Sequence, residues 1–443
     1  YIQVKQRDSS IHATEREGGS AGVSKDFIVS AQETTFTSRN LPAIRQDEPY
    51  CWCPEDYKVQ VSFDLQGTQF TPNEYKPYSQ KWEDVDNQLL KPENTQFGKY
   101  LSFTNPFRPE TKQAYNSEMS FEEKIICAFQ ILKKKMAWNG RYQLYSKELE
   151  KVIPKGNGSN ADLNFILISI LKDFRLEAYP VVLSRRSSGM LPYNFPSLQK
   201  LNTFIVAVYD INKQKYVFLD GSMDVPALNI LPLELSVNKA RILSPKEKEE
   251  KKWVNVMALA DNKSFMKIEA RLEGNQVKGH RSTILYGQEA VEYQANEKHK
   301  QDSIVSNPES NGSLKNKLTV TNLKVKKQEN DQALIEEEFD FVLQTDRTDD
   351  HLYINPMLFP HLKSNPFIQT ERVFPIEFPY PYKFTMLATL TLPEGYEVEE
   401  TPQPQVIRTQ GDGLQCKYMI QRQGNTISLN YIFYLKEPIF LTE

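Results

Sequence analysis

The chain has 443 residues, enough to form about three domains of ordinary size. Its formal net charge of −3 gives no basic excess, so nucleic acid is not expected as a partner. The longest apolar run, "FILISIL" at residues 165–171, is shorter than the roughly 20 residues that a membrane-spanning helix needs, so we expect no membrane span.

The cysteines and histidines predict neither a metal site nor a cofactor. They are Cys51, Cys53, Cys127, Cys416, His12, His280, His299, His351 and His361. Their spacing matches neither a zinc site nor a disulfide framework. Cys51 and Cys53 alternate with Trp52 in a strand-like segment, where two small buried residues are favoured over a weak metal or redox pair.

Residues 1–110 are predicted to form a β-rich N-terminal domain. Alternating segments such as residues 56–65 are separated by Pro, Asn, Asp and Gly, which is typical of strands rather than helices. The chain begins with neither an initiator Met nor a signal-like apolar segment. We therefore expect a mature or trimmed chain in which this domain is incomplete.

Residues 111–245 are predicted to form an α+β core. A helix should begin after Ser120, because this serine cap is followed by two glutamates and by apolar residues at helical spacing. Residues 165–171 fit one buried helix. A strand-like segment at 178–184 then precedes residues 203–220, which predict two strands around a turn. Helices followed by strands indicate an α+β unit.

Residues 253–443 are predicted to form a β-sandwich-like domain, after a charged segment at 244–252 that has the composition of a solvated connector. Its alternating segments are broken by a polar stretch at 306–313. Residues 353–384 alternate proline with aromatic residues. Rigid edge segments with aromatics packed inward are the favoured interpretation, and an aromatic platform for sugar or peptide is the alternative.

Four blocks in the middle of the chain carry a resemblance to a known family. They are "MAWNGRY" at 136–142, the segment 156–189, "LNTFIVAV" at 201–208 and "YVFLDGS" at 216–222. In this order they resemble the bacterial transglutaminase-like superfamily. The resemblance implies a papain-like transglutaminase core, and segments on both sides resemble the β-domains of unknown function that often flank such cores. We therefore expect an α+β multidomain protein.

The resemblance also implies where a Cys-His-Asp triad would lie. Gly158 and Asp162 match the residues that flank the family's nucleophilic Cys, which puts Asn160 at the nucleophile position. Thr203 occupies the position of the family's His, and Asp220 matches its Asp. An amide is not a nucleophile, and a lone threonine does not accept a proton near neutral pH. The triad therefore looks degenerate.

The composition supports the loss of the base independently. No histidine lies between His12 and His280, so a shifted alignment supplies no imidazole. Cys127, the one thiol in this region, lies on an amphipathic helix and is interpreted as a packing residue. A symmetric hairpin would place Thr203 opposite Asp220, and we expect the Thr203 hydroxyl to replace the missing histidine as hydrogen-bond donor.

We therefore expect a pseudoenzyme that acts as a binding or scaffold module for protein, peptide or glycan, and no catalytic residue. The alternative is a hydrolase or acyltransferase that uses Ser159 or another group in the same cleft. A carboxylate with an ordinary pKa of about 4 activates serine poorly. Ser159 and Asp162 are more simply interpreted as helix-capping groups. A third hypothesis, carbohydrate binding by residues 353–384, rests on composition.

The location is expected from the resemblance. Relatives with these flanking domains tend to be exported by bacteria that have an outer membrane, which implies a secreted protein in the periplasm or at the cell surface.

Overall fold

The computed structural model describes residues 2–441, apart from 18–22, 42, 44–47, 62, 64–66, 70–74, 78–80, 92, 94, 302–317, 328–332, 349, 363 and 370. The chain divides into two units, Tyr1–Asp47 and Glu48–Glu443. The first unit contains a long antiparallel hairpin of β1 (Ile2–Glu17) and β2 (Val23–Ser38). These strands agree with the β structure expected for the N-terminal residues.

The second unit begins with a segment of little regular structure. The strand predicted at residues 56–65 is wrong in its described part, because Pro54–Tyr57 forms a 3-10 helix and residues 58–61 and 63 are not in a strand. Proline fixes φ near its helical value, which favours a helical turn from Pro54 onward. Cys51 and Cys53 are not in a strand either. A short hairpin follows, formed by β3 (Gly67–Gln69) and β4 (Tyr75–Pro77).

Six helices come next along the chain. They are α1 (Trp82–Leu90), α2 (Gln96–Leu101), α3 (Arg108–Ala114), α4 (Phe121–Lys135), α5 (Leu149–Val152) and α6 (Asn160–Asp173). The predicted cap of α4 is confirmed, since Ser120 Oγ accepts the N–H of Glu123 and the Glu123 carboxylate accepts the N–H of Ser120. Helices α1 and α2 form where β structure was expected.

The described part of residues 82–254, called the central region below, has two sheets. The first is a short parallel pair, β5 (Ala137–Trp138) with β6 (Asn157–Gly158). The second has the order β11-β10-β7-β8-β9 and contains β7 (Glu177–Leu183), β8 (Thr203–Asp210), β9 (Lys215–Leu219), β10 (Ala240–Ile242) and β11 (Trp253–Val254). The predicted hairpin of β8 and β9 is confirmed.

Helix α6 lies at the centre of this region, with twelve buried residues among its fourteen. Alternate residues of β8 join two different clusters, because successive side chains of a strand point to opposite faces. Phe204 and Val206 belong to the cluster that contains the helices, whereas Ile205 and Ala207 belong to the cluster on the other face of the sheet. The sheet is therefore buried on both faces.

The charged segment at 244–252 is not a free connector. Glu249 Oε1 lies 2.7 Å from Nη1 of the buried Arg241, and Lys252 Nζ lies 2.8 Å from Asp86 Oδ2. The sheet continues past this segment into β11. The charges therefore serve as partners for a buried arginine and a buried carboxylate, which composition alone does not reveal.

The C-terminal region is built on one eight-stranded sheet. Its elements are β12 (Lys263–Glu273), β13 (Gln276–Tyr286), α7 (Gln288–Gln301), β14 (Leu318–Lys327), β15 (Leu334–Gln344), β16 (Asp346–Thr348), β17 (His351–Tyr353), β18 (Ile376–Glu377), β19 (Tyr382–Thr391), β20 (Gln405–Arg408), β21 (Leu414–Gln423), β22 (Thr426–Leu435) and β23 (Ile439–Phe440). The order is β14-β15-β13-β12-β19-β22-β21-β20. Two further pairs, β16–β17 and β18–β23, are short.

The predicted strands of this region are confirmed, and hydrogen bonds join them into one sheet. The sandwich-like arrangement stays a prediction. β12 and β19 pair in parallel and join two antiparallel halves into one continuous sheet. Alternation within a strand indicates which residues face a core, but it does not specify the neighbouring strand. The polar stretch at 306–313 lies outside the described residues. In its coarse form, the expected α+β multidomain class is confirmed.

Candidate functional site

The start of α6 is fixed by a close approach and a capping box. A Cβ on Gly158 would lie 2.7 Å from Val152 Cγ1, so only glycine fits there without a shift of Val152. Ser159 is the N-cap residue: its Oγ accepts the N–H of Asp162 at 3.3 Å and donates to Asp162 Oδ2 at 2.7 Å. Asp162 Oδ2 also accepts the N–H of Ser159 at 2.8 Å.

Asn160, the first residue of α6, is fully buried, and both polar atoms of its side chain form hydrogen bonds. Its Oδ1 accepts the N–H of Gln143 at 2.9 Å. Its Nδ2 donates to Thr203 Oγ1 at 2.6 Å and to the carbonyl of Phe204 at 3.2 Å. These bonds tie the start of the helix to the start of β8 and to the segment before α5.

Thr203, the first residue of β8, is also fully buried and meets Asn160 rather than lying opposite Asp220. Asp210 pairs with Lys215 and Val206 with Leu219, so continuation of this register would place Thr203 level with Ser222. The turn is one residue later than the sequence indicated. The physical reason is local, since Asp210 Oδ1 accepts the N–H groups of Asn212 and Lys213 and so extends the loop.

Asp220 lies in the same network with 1% exposure. The expected donor, Thr203, is replaced by others: Asn164 Nδ2 donates to Asp220 Oδ2 at 2.9 Å, and the N–H of Ser222 donates to Oδ1 at 2.8 Å. Ser222 Oγ also donates to Oδ1. Burial raises the pKa of Asp220, while the hydrogen bonds from Ser222 and Asn164 act in the opposite direction.

Asn164 and Ser222 are site residues that sequence reasoning missed. Asn164 accepts the N–H of Gly221 at 2.6 Å and donates to Phe204 O at 2.8 Å as well as to Asp220. A signal for it exists: Asn164 lies four residues after Asn160 in an otherwise apolar helix, and residues so spaced share a helix face. The role of Ser222 follows only from the position of the hairpin.

The segment before α5 covers the start of α6. The N–H of Asn160 donates to the carbonyl of Arg141 at 3.0 Å, next to the bond from Gln143. The ring of Tyr142 packs against Trp138 at a centroid distance of 5.0 Å, and the Arg185 guanidinium lies 5.8 Å from the Tyr142 ring. Burial and the nearby Asp220 raise the pKa of Tyr142. Asn160 and Thr203, at the positions expected for a nucleophile and a base, are therefore not accessible to solvent.

The network offers little for proton transfer. Asn160, Asn164, Thr203 and Ser222 contribute amide, hydroxyl and backbone groups. The titratable groups beside them are the buried Asp220, the Asp162 carboxylate that caps α6, and Tyr142, whose pKa is raised. Within the described residues, no three His, Cys, Asp or Glu side chains come together as metal ligands. Cys127 lies on α4 against the helical core, and burial raises the pKa of its thiol.

Aromatic residues of the proline-rich segment 353–384 mostly pack inward. Phe374 stacks on Tyr57 at 5.2 Å and Phe378 lies 4.8 Å from Tyr50, measured between ring centroids. His361 stacks on Phe384 at 4.3 Å. Tyr353 is an exception, with 64% of its surface exposed. These contacts agree with the packing interpretation of the segment.

Comparisons with known proteins support only part of the expectations. Within the described residues, no helix is long and apolar enough to cross a membrane. No curated protein matches the chain. The chain is similar to a crystal structure described as a "putative protease" from Parabacteroides distasonis, with 12% identity and a TM-score of 0.44 over 99% of this chain. It spans 65% of that neighbour's length. A family model for a domain of unknown function with a solved structure, DUF3858, matches residues 350–443.

Proposed function

We propose that the central region is a transglutaminase-like module with a papain-like core that has lost catalysis and acts as a binding or scaffold module for protein, peptide or glycan. One observation carries the proposal: Asn160 and Thr203, at the positions implied for nucleophile and base, are fully buried and hydrogen-bonded to each other at 2.6 Å. Neither side chain is a nucleophile or a base near neutral pH.

The hydrogen bonds of Asn160 also argue against a transient opening of the structure that would admit a substrate to this position. Access of a substrate to this position would require the segment at Arg141–Gln143 to lift and to break the bonds from Gln143 and to Arg141. Each buried group left without a partner costs about 1–3 kcal/mol. A catalytic site gains from groups held ready for the transition state, whereas these groups are held by one another.

Ser159 is the alternative nucleophile. Its hydroxyl does donate to a carboxylate, Asp162 Oδ2, at 2.7 Å. The same oxygen accepts the N–H of Ser159, and Ser159 is only 1% exposed. This geometry is that of an N-cap and leaves the carboxylate occupied, so the scaffold function is preferred.

Turnover assays test the proposal directly. Purified full chain is assayed for amine transfer and for peptide hydrolysis, beside Asn160→Ala and Ser159→Ala, with folding of each variant checked by circular dichroism. We expect all three proteins to match the buffer blank. Turnover by the wild type that falls in the folded Asn160→Ala protein would refute the loss of catalysis, and a selective fall in Ser159→Ala would favour the hydrolase or acyltransferase.

A further inference from the structure

The C-terminal region contains a cavity that the central network does not use. Its volume is about 620 Å³. Its floor is one face of the eight-stranded sheet, where Leu390, Ile420 and Leu429 are buried, and its walls are residues 350–358 and 396–402. This size lies within the roughly 300–1,000 Å³ of typical ligand pockets. The floor is therefore apolar, and a large aliphatic or aromatic group fits above it.

The rim of this cavity is acidic. Asp350, Glu397, Glu399 and Glu400 line it and are exposed. His351 Nε2 lies 3.0 Å from Glu399 Oε2. This contact joins the two walls and gives one of the four carboxylates a partner. The other three have no basic partner among the residues that line the cavity. Charge complementarity therefore favours an occupant that carries positive charge beside its apolar group.

One wall presents backbone groups as well as carboxylates. Between residues 397 and 401 the chain is in neither helix nor strand and makes no backbone–backbone hydrogen bond with other described residues. Pro402 and Pro404, which follow, have no backbone N–H. The wall is anchored beside this stretch by Tyr396, whose hydroxyl donates to Gly274 O at 3.4 Å. Unpaired backbone N–H and C=O groups along a cavity wall can pair with a second extended chain, which is a recurring mode of peptide recognition.

We propose that this cavity binds an extended segment of a partner protein in which a large apolar residue lies next to lysine or arginine. The apolar side chain occupies the space above Leu390 and Leu429, and the basic side chain pairs with Glu397 or Glu400. The backbone of the segment pairs with the wall at residues 397–401, which have both N–H and C=O groups. The backbone groups favour a peptide over a free cationic amphiphile, because an amphiphile leaves them unpaired. The proposal does not depend on whether the central region is catalytic.

The test uses the full chain and three labelled eight-residue peptides, measured by fluorescence anisotropy. One peptide alternates Lys with Leu, the second replaces Lys by Glu, and the third replaces Leu by Ser. We expect the Lys–Leu peptide to bind at least tenfold more tightly than either control. Equal affinity for the three peptides, or binding only of dodecyltrimethylammonium below its micelle concentration, would overturn the proposal.

Two variants locate the binding. Glu397→Lys with Glu400→Lys changes exposed residues only, and we expect at least a tenfold loss of Lys–Leu binding and a gain for the Glu–Leu peptide. Glu83→Lys with Glu118→Lys makes the same change in net charge on exposed residues of the central region and should leave binding unchanged. Ala388→Phe fills the cavity and should abolish binding. Unchanged binding in the Glu397→Lys and Glu400→Lys protein would contradict the proposed site.

Discussion

Asn160 Nδ2 and Thr203 Oγ1 are 2.6 Å apart in the interior of the central region, where neither side chain reaches solvent. The bond joins the first residue of α6 to the first residue of β8. A Cys and a His at these positions would form a reactive pair, whereas an amide and a hydroxyl form a hydrogen bond that only stabilises the fold. Stability, rather than activity, should therefore respond to changes at these residues.

Asn160→Ala should destabilise the central region by about 2–4 kcal/mol, because it leaves the N–H of Gln143 and the hydroxyl of Thr203 without their buried partner. Denaturant unfolding followed by fluorescence measures this change. Asn157→Ala is the matched control, since Asn157 is exposed three residues earlier and should change stability by about 0.5 kcal/mol or less. Equal effects of the two substitutions would contradict the role given to the network.

Ser159→Ala should cost about 1 kcal/mol, the usual loss when an N-cap hydroxyl is removed. Ser159→Thr keeps the hydroxyl that accepts the N–H of Asp162, so it should retain more of the stability than Ser159→Ala. The comparison is made by thermal unfolding of the three proteins. A loss as large in Ser159→Thr as in Ser159→Ala would show that packing, and not capping, decides the effect.

Arg241→Leu should destabilise the protein by about 3 kcal/mol, the lower end for a broken buried pair, because the carboxylate of Asp86 loses its bidentate partner and keeps only Lys252. Adding Asp86→Leu should recover part of this loss, since the double variant has no unpaired carboxylate at this position. Urea unfolding of both single variants and the double variant completes the cycle. A double variant that loses the sum of the two single losses would contradict the pairing.

Stability of the C-terminal region should fall at mildly acidic pH through His361. Burial lowers the pKa of His361 to about 4, below its ordinary value of about 6.5. The unfolded chain therefore binds the proton first, so the stability contribution is complete above pH of about 6.5 and falls by at most about 1.4 kcal/mol per pH unit toward pH 4.

His361→Phe keeps a flat ring against Phe384 and removes the titration. Its unfolding free energy, measured between pH 4 and 7, should show a smaller slope than that of the wild type. Identical slopes would show that other groups cause the acid sensitivity.

The sequence predicted the elements best where local signals and burial agree. The capping box at Ser120 and Glu123 marks the start of α4, and the apolar run in α6 marks a helix buried on every side. Strands in the C-terminal region follow from alternation that matches one buried face. In each case the signal lies within the element itself, so no knowledge of its neighbours is required.

The sequence did not specify the relationships between elements. The single sheet of the C-terminal region depends on the parallel pairing of β12 with β19, which are more than a hundred residues apart in sequence. The donors to Asp220 depend on the turn between β8 and β9, which Asp210 lengthens. Because the turn is shifted by one residue, the residue level with Thr203 on the neighbouring strand moves by two positions, from Asp220 to Ser222. Asn164 was identifiable as a polar residue on the same helix face as Asn160, but its partner was not.

The central claim is that no activated nucleophile remains at the start of α6. Intact-protein mass spectrometry after incubation of the folded chain with a serine-directed fluorophosphonate tests this most directly, with Ser159→Ala as the reference. We expect both proteins to keep their unmodified mass, because the Ser159 hydroxyl is buried and bonded to Asp162. A stoichiometric adduct on the wild type that is absent from the folded Ser159→Ala protein would contradict the claim.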